Sequence, residues 1–458
     1  MALRASGQTE SKASQAGKQP PGLLPREMAV DLISAVLDRG RSFDEAFAAC
    51  SSHPEYRALS PSDRGLARLI TATVLRRHGQ LAEILGQFIE RPLPKKTGRL
   101  TSILMAGAAQ LVFLGTPPHA VINLAVEQTR RDARARRFDR LTNAVLRRVA
   151  ERGREIAAGQ DPVRLNVPAW LLDRWTRTYG EETARRIAEA SLREAPLDIT
   201  AKANPEIWAE RLGGVVLPTG SIRLIPQGRI ENLPGFNEGA WWVQDAAAAL
   251  PAKLLGDVSG KRIADLCAAP GGKTAELAAA GAKMTAVEID SKRIERLKDN
   301  LARLRLEVEV VEADVTEWSP GELFDAVLLD APCLSTGTIR RHPDLLRLKR
   351  ESDLERLVEL QKRLLEAAAK LIKPGGLLVY CTCSLEAEEG PQQIACVLSS
   401  GAFERVPIRP GEAGIAPEWV TPEGDLRTFP FHLQLEGENL SGMDGFYAAR
   451  LRRVAARL

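Results

Sequence analysis

The sequence contains no apolar run near the roughly 20 residues that a membrane-spanning helix requires, and its mean hydropathy is −0.17. Both observations argue against an integral membrane protein. Six cysteines among 458 residues are too few for a scaffold held together by disulfides. Residues 1–22 are polar and lack the apolar segment of a secretion signal. We therefore predict a disordered tail over residues 1–23, no membrane partner, and a reduced, cytoplasmic protein.

The residues that are present are typical of a globular protein: 44% are hydrophobic and 27% are charged, in a chain long enough for several domains. The net charge is only +4, but arginine is concentrated in one region. The arginines of this region are Arg130, Arg131, Arg134, Arg136, Arg137, Arg140, Arg147, Arg148, Arg152 and Arg154. Because guanidinium groups pair with phosphate, they predict a surface that follows a nucleic-acid backbone, with a solvated helix face as the alternative.

Three regions differ in their hydrophobic pattern. Residues 24–158 carry apolar side chains three or four positions apart, which predicts an all-α bundle. Residues 159–255 mix helical segments with short strands and turns, which predicts a small α+β domain. In residues 256–458, apolar β-branched runs alternate with amphipathic segments. This last pattern predicts a doubly wound α/β domain whose ligand chemistry lies at the carboxyl ends of its strands.

The α/β region contains five runs that we interpret as buried strands. They are KRIADLCA, AKMTAVEID, EVEVVEAD, FDAVLLDAP and GGLLVYCTCS. The first leads into DLCAAPGGKT, from Asp265 to Thr274. This segment ends in Gly-Lys-Thr, but a phosphate-binding P-loop needs a glycine where Cys267 stands, so that type of site is excluded. What remains is a tight turn around Gly271, where the backbone can approach a ligand closely.

Carboxylates follow the next three strands of this region. Glu288 and Asp290 come after the second strand, Asp314 after the third and Asp330 after the fourth. An acid at the end of the second strand commonly accepts hydrogen bonds from a ribose diol. Three strands that end in acids around a glycine turn predict a nucleoside-containing cofactor.

Two cysteines follow strands as well: Cys333 comes after the fourth strand and Cys383 ends the fifth. We expect both to face one crevice, although a buried and inert cysteine is the usual alternative for either one. Zinc is a further alternative, because Cys381 and Cys383 are close in sequence. We expect these two to point to opposite faces of their strand, and no neighbouring histidine completes a tetrahedral set, so we predict no metal.

These segments resemble a known family. DLCAAPGGKT, DAPCLSTGTIRRHPD and YCTCSLEAEE resemble the RNA cytosine-5 methyltransferases, and the N-terminal bundle, including LTNAVLRR, resembles the NusB-like RNA-binding domain. With VQDAAA before the last domain and MDGFYAARL near its end, the chain from about residue 24 onward is similar to the RsmB (Sun) type. The resemblance implies a Rossmann-like catalytic domain, S-adenosylmethionine as cofactor, small-subunit (16S) ribosomal RNA as substrate, and a monomer.

The resemblance also implies roles for individual residues. Cys383 would add to carbon 6 of cytosine, Asp330 would hydrogen-bond the base, and Cys333 would assist release of the covalent adduct. Lys273 is the nearest cationic candidate for favouring the Cys383 thiolate. The implied cofactor-binding positions are Cys267, Ala268, Ala269, Pro270, Gly271, Gly272, Lys273, Glu288, Asp314 and Asp330. Glu288 stands where the family commonly has Asp, a change that keeps a ribose acceptor.

Three residues after the DAPC segment, Arg340, Arg341 and His342, are candidates for RNA contact, with polarity at a helix start as the alternative. Two other functions stay open at this point. One is the same methylation reaction on transfer RNA. The other is a non-catalytic RNA-binding factor that has kept a methyltransferase fold, which the presence of both cysteines and Asp330 disfavours.

Overall fold

The computed structural model describes residues 20–94, 96–225, 228–437 and 440–454. Most of the predicted disordered tail, residues 1–19, lies outside the described residues. The first helix begins at Leu23, directly after Gly22. In the part of the chain that the structure describes, no helix combines the length and apolar character needed to cross a membrane.

The N-terminal domain is the predicted all-α bundle. Its helices are Leu23–Leu37 (α1), Phe43–Ser52 (α2), Pro61–Arg76 (α3), His78–Phe88 (α4), Leu100–Val112 (α5), Pro118–Arg131 (α6) and Asp139–Ala158 (α7). Ser42 and Ser60 cap α2 and α3, because each hydroxyl accepts a backbone N–H of the first turn. Helix α5 lies at the centre, since nearly all its residues are buried in one apolar core shared with α1, α3, α4 and α7.

The middle domain contains four helices and a small antiparallel sheet. The elements are Pro162–Asn166 (α8), Ala169–Tyr179 (α9), Glu181–Ser191 (α10), Leu197–Ala201 (β1), Pro205–Leu212 (α11), Val215–Val216 (β2), Ile222–Leu224 (β3) and Trp241–Val243 (β4). The strand order is β2-β3-β1-β4. Inside this sheet the Arg223 guanidinium donates to both carboxylate oxygens of Asp198 at 2.7 Å, so two buried charges compensate each other.

The C-terminal domain is the predicted α/β domain. Its helices are Ala246–Lys253 (α12), Gly272–Ala279 (α13), Ser291–Leu304 (α14), Leu345–Leu348 (α15), Ser352–Leu371 (α16) and Pro391–Ser399 (α17). Its strands are Arg262–Leu266 (β5), Lys283–Glu288 (β6), Glu309–Glu312 (β7), Phe324–Asp330 (β8), Ile372–Thr382 (β9), Phe403–Arg405 (β10), Leu426–Thr428 (β11) and Phe446–Arg453 (β12).

These strands form one sheet in the order β10-β12-β9-β8-β5-β6-β7, with β11 also paired to β12. Strands β5 to β9 pair in parallel, and β12 pairs antiparallel to β9. Apolar clusters cover both faces: α12 and α13 pack on one and α16 on the other. The predicted architecture, an all-α bundle, a small α+β domain and a Rossmann-like α/β domain, is confirmed.

Two details of the sequence interpretation were wrong. The EVEVVEAD segment was predicted as a buried strand, but β7 is the edge of the sheet, with Glu309 and Glu312 exposed and its two valines half-buried. Only one side of an edge strand is paired, so its outward positions tolerate charge. In addition, the predicted five strands omit the antiparallel extension β10–β12, of which β12 is a central strand.

The three domains meet at the segment that follows Cys333. The Phe43 N–H, at the start of α2, donates to Asp344 Oδ2 at 3.0 Å, and Arg76 Nη2 donates to the Arg340 carbonyl at 3.1 Å. At Gly79 a Cβ atom would lie 1.7 Å from the Leu165 carbonyl oxygen, so only glycine permits this approach of the N-terminal and middle domains. The middle domain also contacts the segment after Cys333, because Arg341 Nη1 donates to the Pro196 carbonyl at 3.0 Å. Both preceding domains therefore hold this segment.

Candidate active site

A cavity of about 470 Å³ opens at the carboxyl ends of β5, β8 and β9, between the catalytic sheet and the middle domain. Its volume is in the range of small-ligand sites, and the carboxyl edge of the sheet is where such sites lie in this class of fold. The lining includes Ala268 to Lys273, Asp265, Asp330 and Cys383. Residues from three of the sequence-predicted strand ends thus meet in one space.

The wall of the cavity nearest β5 is the predicted glycine turn. Gly271 has φ of 101°, and a Cβ there would lie 2.5 Å from Leu297 Cδ1, so the position requires glycine for conformation and for space. Helix α13 starts at Gly272, directly after the turn. On the outer side the Asn300 amide donates to the Pro270 carbonyl at 2.9 Å, which fixes the turn to α14.

An ion pair lies at the centre of the site. Lys273 Nζ donates to Asp330 Oδ2 at 2.7 Å, and the Cys381 thiol donates to Asp330 Oδ1 at 3.6 Å. Burial alone would lower the pKa of the Lys273 ammonium, but the adjacent Asp330 carboxylate outweighs this effect and raises it. Lys273 is therefore a permanent cation here, and Phe446 lies beneath it with its ring centroid 4.9 Å from Nζ.

The two predicted cysteines meet. Their Sγ atoms are 3.5 Å apart, but only Cys383 lines the cavity, whereas Cys333 is 8% exposed and lies behind it. The hydrogen bond from the Cys333 thiol lowers the pKa of Cys383, against the effect of burial and with help from Ser335 and Lys273. The same shared hydrogen bond, together with burial, raises the pKa of Cys333. The accessible sulfur is thus the one that ionises more easily.

Asp265 is a site residue that the sequence interpretation did not assign, although it begins the glycine-turn motif. Thr274 Oγ1 donates to its Oδ2 at 2.5 Å, but the buried Oδ1 has no partner in the described structure. Burial raises the pKa of this carboxyl to about 7. A carboxylate oxygen that is buried without a donor beside a cavity suits a cationic ligand group, such as an ammonium.

Three predicted cofactor residues do not line this cavity. Glu288 is buried, and its carboxylate accepts the backbone N–H groups of Ala269 and Asp290 and pairs with Arg293 at 3.1 Å. Asp314 accepts the Thr316 N–H at 2.8 Å. Cys267 is half-buried, and burial raises the pKa of its thiol. The roles of these three in holding a cofactor stay predictions.

Arg340 is buried, whereas the predicted contact with RNA requires an exposed side chain. It is 3% exposed, and it donates to Asp444 Oδ1 at 2.9 Å and to Asp245 Oδ2 at 3.0 Å. Arg341 pairs with the same two aspartates but also lines the cavity, and His342 lies beside it, 3.5 Å from Asp44. The segments VQDAAA and MDGFYAARL contain Asp245 and Asp444. These motifs could have indicated the cluster, but the sequence alone does not show that they meet.

The expected orientation of Cys381 and Cys383 was also wrong. Both pack against the same apolar cluster on one face of the sheet, because side chains two positions apart along a strand point to the same side. Among the described residues, no group of three or more His, Cys, Asp or Glu side chains has the arrangement of a metal site.

All ten arginines of the N-terminal cluster are exposed. Arg130, Arg131 and Arg148 form ion pairs with nearby acids. Within residues 20–94, 96–225, 228–437 and 440–454, no acid lies within ion-pair distance of Arg134, Arg136 or Arg137. The cluster therefore presents unpaired positive charge around the start of α7.

Comparisons with known proteins agree with this geometry. The family described as "16S rRNA methyltransferase RsmB/F" matches residues 252–452, and the NusB family matches residues 24–151. The chain is 35% identical to ribosomal RNA small subunit methyltransferase B of Xylella fastidiosa strain Temecula1, covering 94% of this chain and 98% of that one. For the protein of the same name from Xanthomonas campestris, the identity is 36%, with coverage of 83% and 89%. The crystal structure of PH0851 superposes with a TM-score of 0.71 at 24% identity, covering 95% of this chain and 100% of that one, which shows the same fold.

Proposed function

The chain belongs to the RsmB/F family of 16S rRNA methyltransferases, and from this premise we propose that it methylates carbon 5 of a cytosine through a covalent bond between Cys383 and carbon 6. As a member of this family it is a methyltransferase that uses S-adenosylmethionine and acts on small-subunit ribosomal RNA. The observation that carries the proposal is the pair of sulfur atoms 3.5 Å apart, of which only one faces the cavity.

The residues around the glycine turn fit the cofactor. Its ammonium group matches the unpartnered Oδ1 of Asp265, and the turn from Ala268 to Gly272 lets the backbone approach its methionine part. Ile289, which follows β6 and is 63% exposed, is an apolar side chain on which the adenine would pack. Bound S-adenosylmethionine supplies an electrophilic methyl group on its sulfonium sulfur.

Carbon 5 of cytosine is a weak nucleophile until carbon 6 is attacked. The Cys383 thiolate forms the bond to carbon 6, which moves electron density to carbon 5 and to the N3 side of the ring. Carbon 5 then takes the methyl group, and the sulfonium carbon–sulfur bond breaks. Asp330, held by Lys273 at 2.7 Å, is positioned to accept a hydrogen bond from the amino group of cytosine. In its protonated form it would also donate one to N3, where this charge develops.

The product leaves when the proton on carbon 5 is removed and the bond between Cys383 and carbon 6 breaks. This elimination restores the aromatic ring and returns the electron pair to Cys383. Cys333 lies against the sulfur that carries the adduct. Once Cys383 is bonded to carbon 6, it is no longer the thiolate whose hydrogen bond and charge raise the pKa of Cys333. Cys333 can then lose its proton to solvent and, as a thiolate, take up the proton from carbon 5. The different environments of the two cysteines support a role in attack for Cys383 and a role in release for Cys333.

The test is to separate the cysteines by substitution and to assay methyl transfer to a small-subunit rRNA transcript. Cys383→Ala should transfer no methyl group and form no protein–RNA adduct. Cys333→Ala should accumulate an adduct that survives denaturation and migrates slowly on a denaturing gel, and the double variant should lose it. Cys396→Ala, at an exposed position outside the site, is the matched control and should behave as the parent protein.

Two outcomes would change the proposal. An adduct in Cys383→Ala would exchange the roles of the two cysteines. A methylated product other than 5-methylcytosine, identified by bisulfite sequencing of the transcript, would contradict the assigned chemistry. A transfer RNA transcript in the same assay tests the alternative substrate.

A further inference from the structure

The cavity has a second end, which supplies none of the residues proposed for catalysis or cofactor binding. There the middle domain faces the C-terminal half of α14, and the lining residues are Phe236, Val243, Asn300, Arg303 and Leu304. Val243 is 45% exposed at the end of the edge strand β4. The cavity is thus a passage from Cys383 to the seam between two domains.

A flat and rigid platform forms one wall of this seam. The Arg303 guanidinium lies over the Phe236 ring, 4.1 Å from its centroid, and donates to the carbonyls of Phe236 at 2.8 Å and Trp241 at 3.1 Å. The Trp241 ring packs edge-on against Phe236 at 5.6 Å. Aromatic rings and arginine planes are the surfaces on which unstacked nucleic-acid bases stack.

Positive charge surrounds the same seam. Lys202 donates to the Leu304 carbonyl at the end of α14, and Arg305 follows this residue. Burial and then the neighbouring Arg305 and Arg303 lower the pKa of Lys202. Across the described part of the chain, none of these three cations lies within ion-pair distance of a carboxylate. The unpaired cations could pair with the phosphate of a nucleotide, and the Phe236–Arg303 platform could stack against its base.

We propose that this seam is a binding site for the RNA strand next to the target cytosine: one neighbouring base stacks on the Phe236–Arg303 platform, and its phosphate lies near Lys202 and Arg305. This inference rests on the proposed function, since it takes Cys383 as the end of the passage that receives the target base. The ligand class is single-stranded RNA, because a base in a duplex is already stacked and cannot lie on the platform.

The sharpest test places a single negative charge at Val243, at the second end of the cavity. Val243→Glu and Val243→Gln have the same shape and differ only in charge, and both are at an exposed position. Val215→Glu is the matched control, since Val215 is 49% exposed on the edge strand β2 of the same sheet and does not line the cavity. The measurements are affinity for a fluorescein-labelled small-subunit rRNA transcript by anisotropy, and KM and kcat for methyl transfer.

We expect Val243→Glu to weaken RNA binding and raise the KM for RNA about ten-fold relative to Val243→Gln, with kcat at saturating RNA and S-adenosylmethionine affinity unchanged. Val215→Glu should match the parent protein. Equal RNA affinity in the two Val243 variants, or an equal loss in Val215→Glu, would overturn the site. Anisotropy needs no chemistry, so absence of 5-methylcytosine with the parent protein would refute the proposed function while leaving this comparison valid.

A second pair of variants tests the phosphate contacts. Lys202→Met combined with Arg305→Gln should reduce the slope of log affinity against log salt by about 0.7 for each cation. Lys362→Met combined with Arg356→Gln removes the same charges from exposed positions on α16, on the opposite face of the sheet, and should leave the slope unchanged. The same slope for both pairs would contradict the placement of the phosphate.

Discussion

In the N-terminal bundle, Arg134, Arg136 and Arg137 are exposed, and in the described structure none forms an ion pair. Beside the catalytic loop, Arg340 is buried between Asp245 and Asp444. The sequence interpretation assigned both groups to RNA. An arginine whose charge is already neutralised by buried carboxylates has little charge left to attract a phosphate. An unpaired arginine at the surface can still pair with one. We make five predictions, in order of decreasing effect.

The buried arginine should contribute to stability. Arg340→Met should lower the free energy of unfolding by about 3–5 kcal/mol, because Asp245 and Asp444 would lose one of the two guanidinium groups that compensate them. Urea denaturation measures this loss. Arg340→Lys keeps the charge and should retain part of the stability. A loss below about 1 kcal/mol for Arg340→Met would show that Arg341 alone satisfies both aspartates.

Glu288 is a buried acid that is already neutralised by its neighbours, and it tests whether such a group can still bind a ligand. Glu288→Ala should weaken S-adenosylmethionine binding by roughly 1–3 kcal/mol, because a charged hydrogen bond to the ribose and the support of the Ala269 turn are lost together. Calorimetry gives the affinity. Glu295→Ala, on the exposed side of α14, is the control. Unchanged affinity in Glu288→Ala would place the ribose elsewhere.

Asp265, a buried acid with one unpartnered oxygen, should make cofactor binding depend on pH. Burial raises its pKa to about 7, so the carboxylate needed by the ammonium is lost as pH falls. The S-adenosylmethionine affinity should therefore rise by up to about ten-fold per unit as pH approaches 7, and level off above it. Calorimetry at several pH values checks this, and Asp265→Asn should abolish the dependence.

The unfolding free energy of the unliganded protein should change in the opposite direction. A carboxyl whose pKa is raised by folding binds protons more tightly in the folded state, so stability falls as pH rises from about 4 to 7. Asp265→Asn should remove this part of the pH dependence of urea denaturation. If the slopes of the variant and the parent coincide, the carboxyl is ionised across the whole range.

The exposed arginines should matter least for stability. Replacing Arg134, Arg136 and Arg137 with glutamine should change the free energy of unfolding by less than about 0.5 kcal/mol, yet flatten the salt dependence of RNA binding by about 0.7–0.9 in log–log slope per arginine. Lysine at the same three positions should keep the slope. A slope that glutamine leaves unchanged would make the cluster an ordinary solvated face.

The local sequence pattern was sufficient to predict most helices and strands and to bring most of the candidate site residues together. Period and breakers predicted the helices of the bundle, and the ends of β5, β8 and β9 correctly brought the glycine turn, Asp330 and the cysteines together, because parallel strands share one carboxyl edge. Pattern failed where partners come from far along the chain. Asp245 and Asp444 are 199 positions apart, and they meet through Arg340, through Arg341 and through the Asp444 N–H, which donates to Asp245. The edge position of β7 likewise depends on the topology of the whole sheet.

The middle region shows a second limit. The predicted boundary after residue 255 places α12 with the small domain, whereas its alanines and Leu250 pack on the C-terminal sheet with Ile263 and Val379. A change in the spacing of apolar residues shows where one sequence pattern ends. Which domain a helix packs on also depends on which apolar sheet face is left unburied, and the local sequence does not show this. The sequence therefore predicts the number of units better than their boundaries.

The loop after Cys333 also limits how freely this protein can be rebuilt. The first backbone N–H of α2 is satisfied by Asp344, and Arg76 donates to the carbonyl of Arg340, so the N-terminal bundle completes hydrogen bonds of the segment that follows Cys333. The N-terminal bundle therefore cannot be exchanged for another domain without loss of these hydrogen bonds. The exposed arginine face of the bundle could be replaced, but any other domain grafted in its place would need to reproduce the contacts of α2 and α3 with this loop.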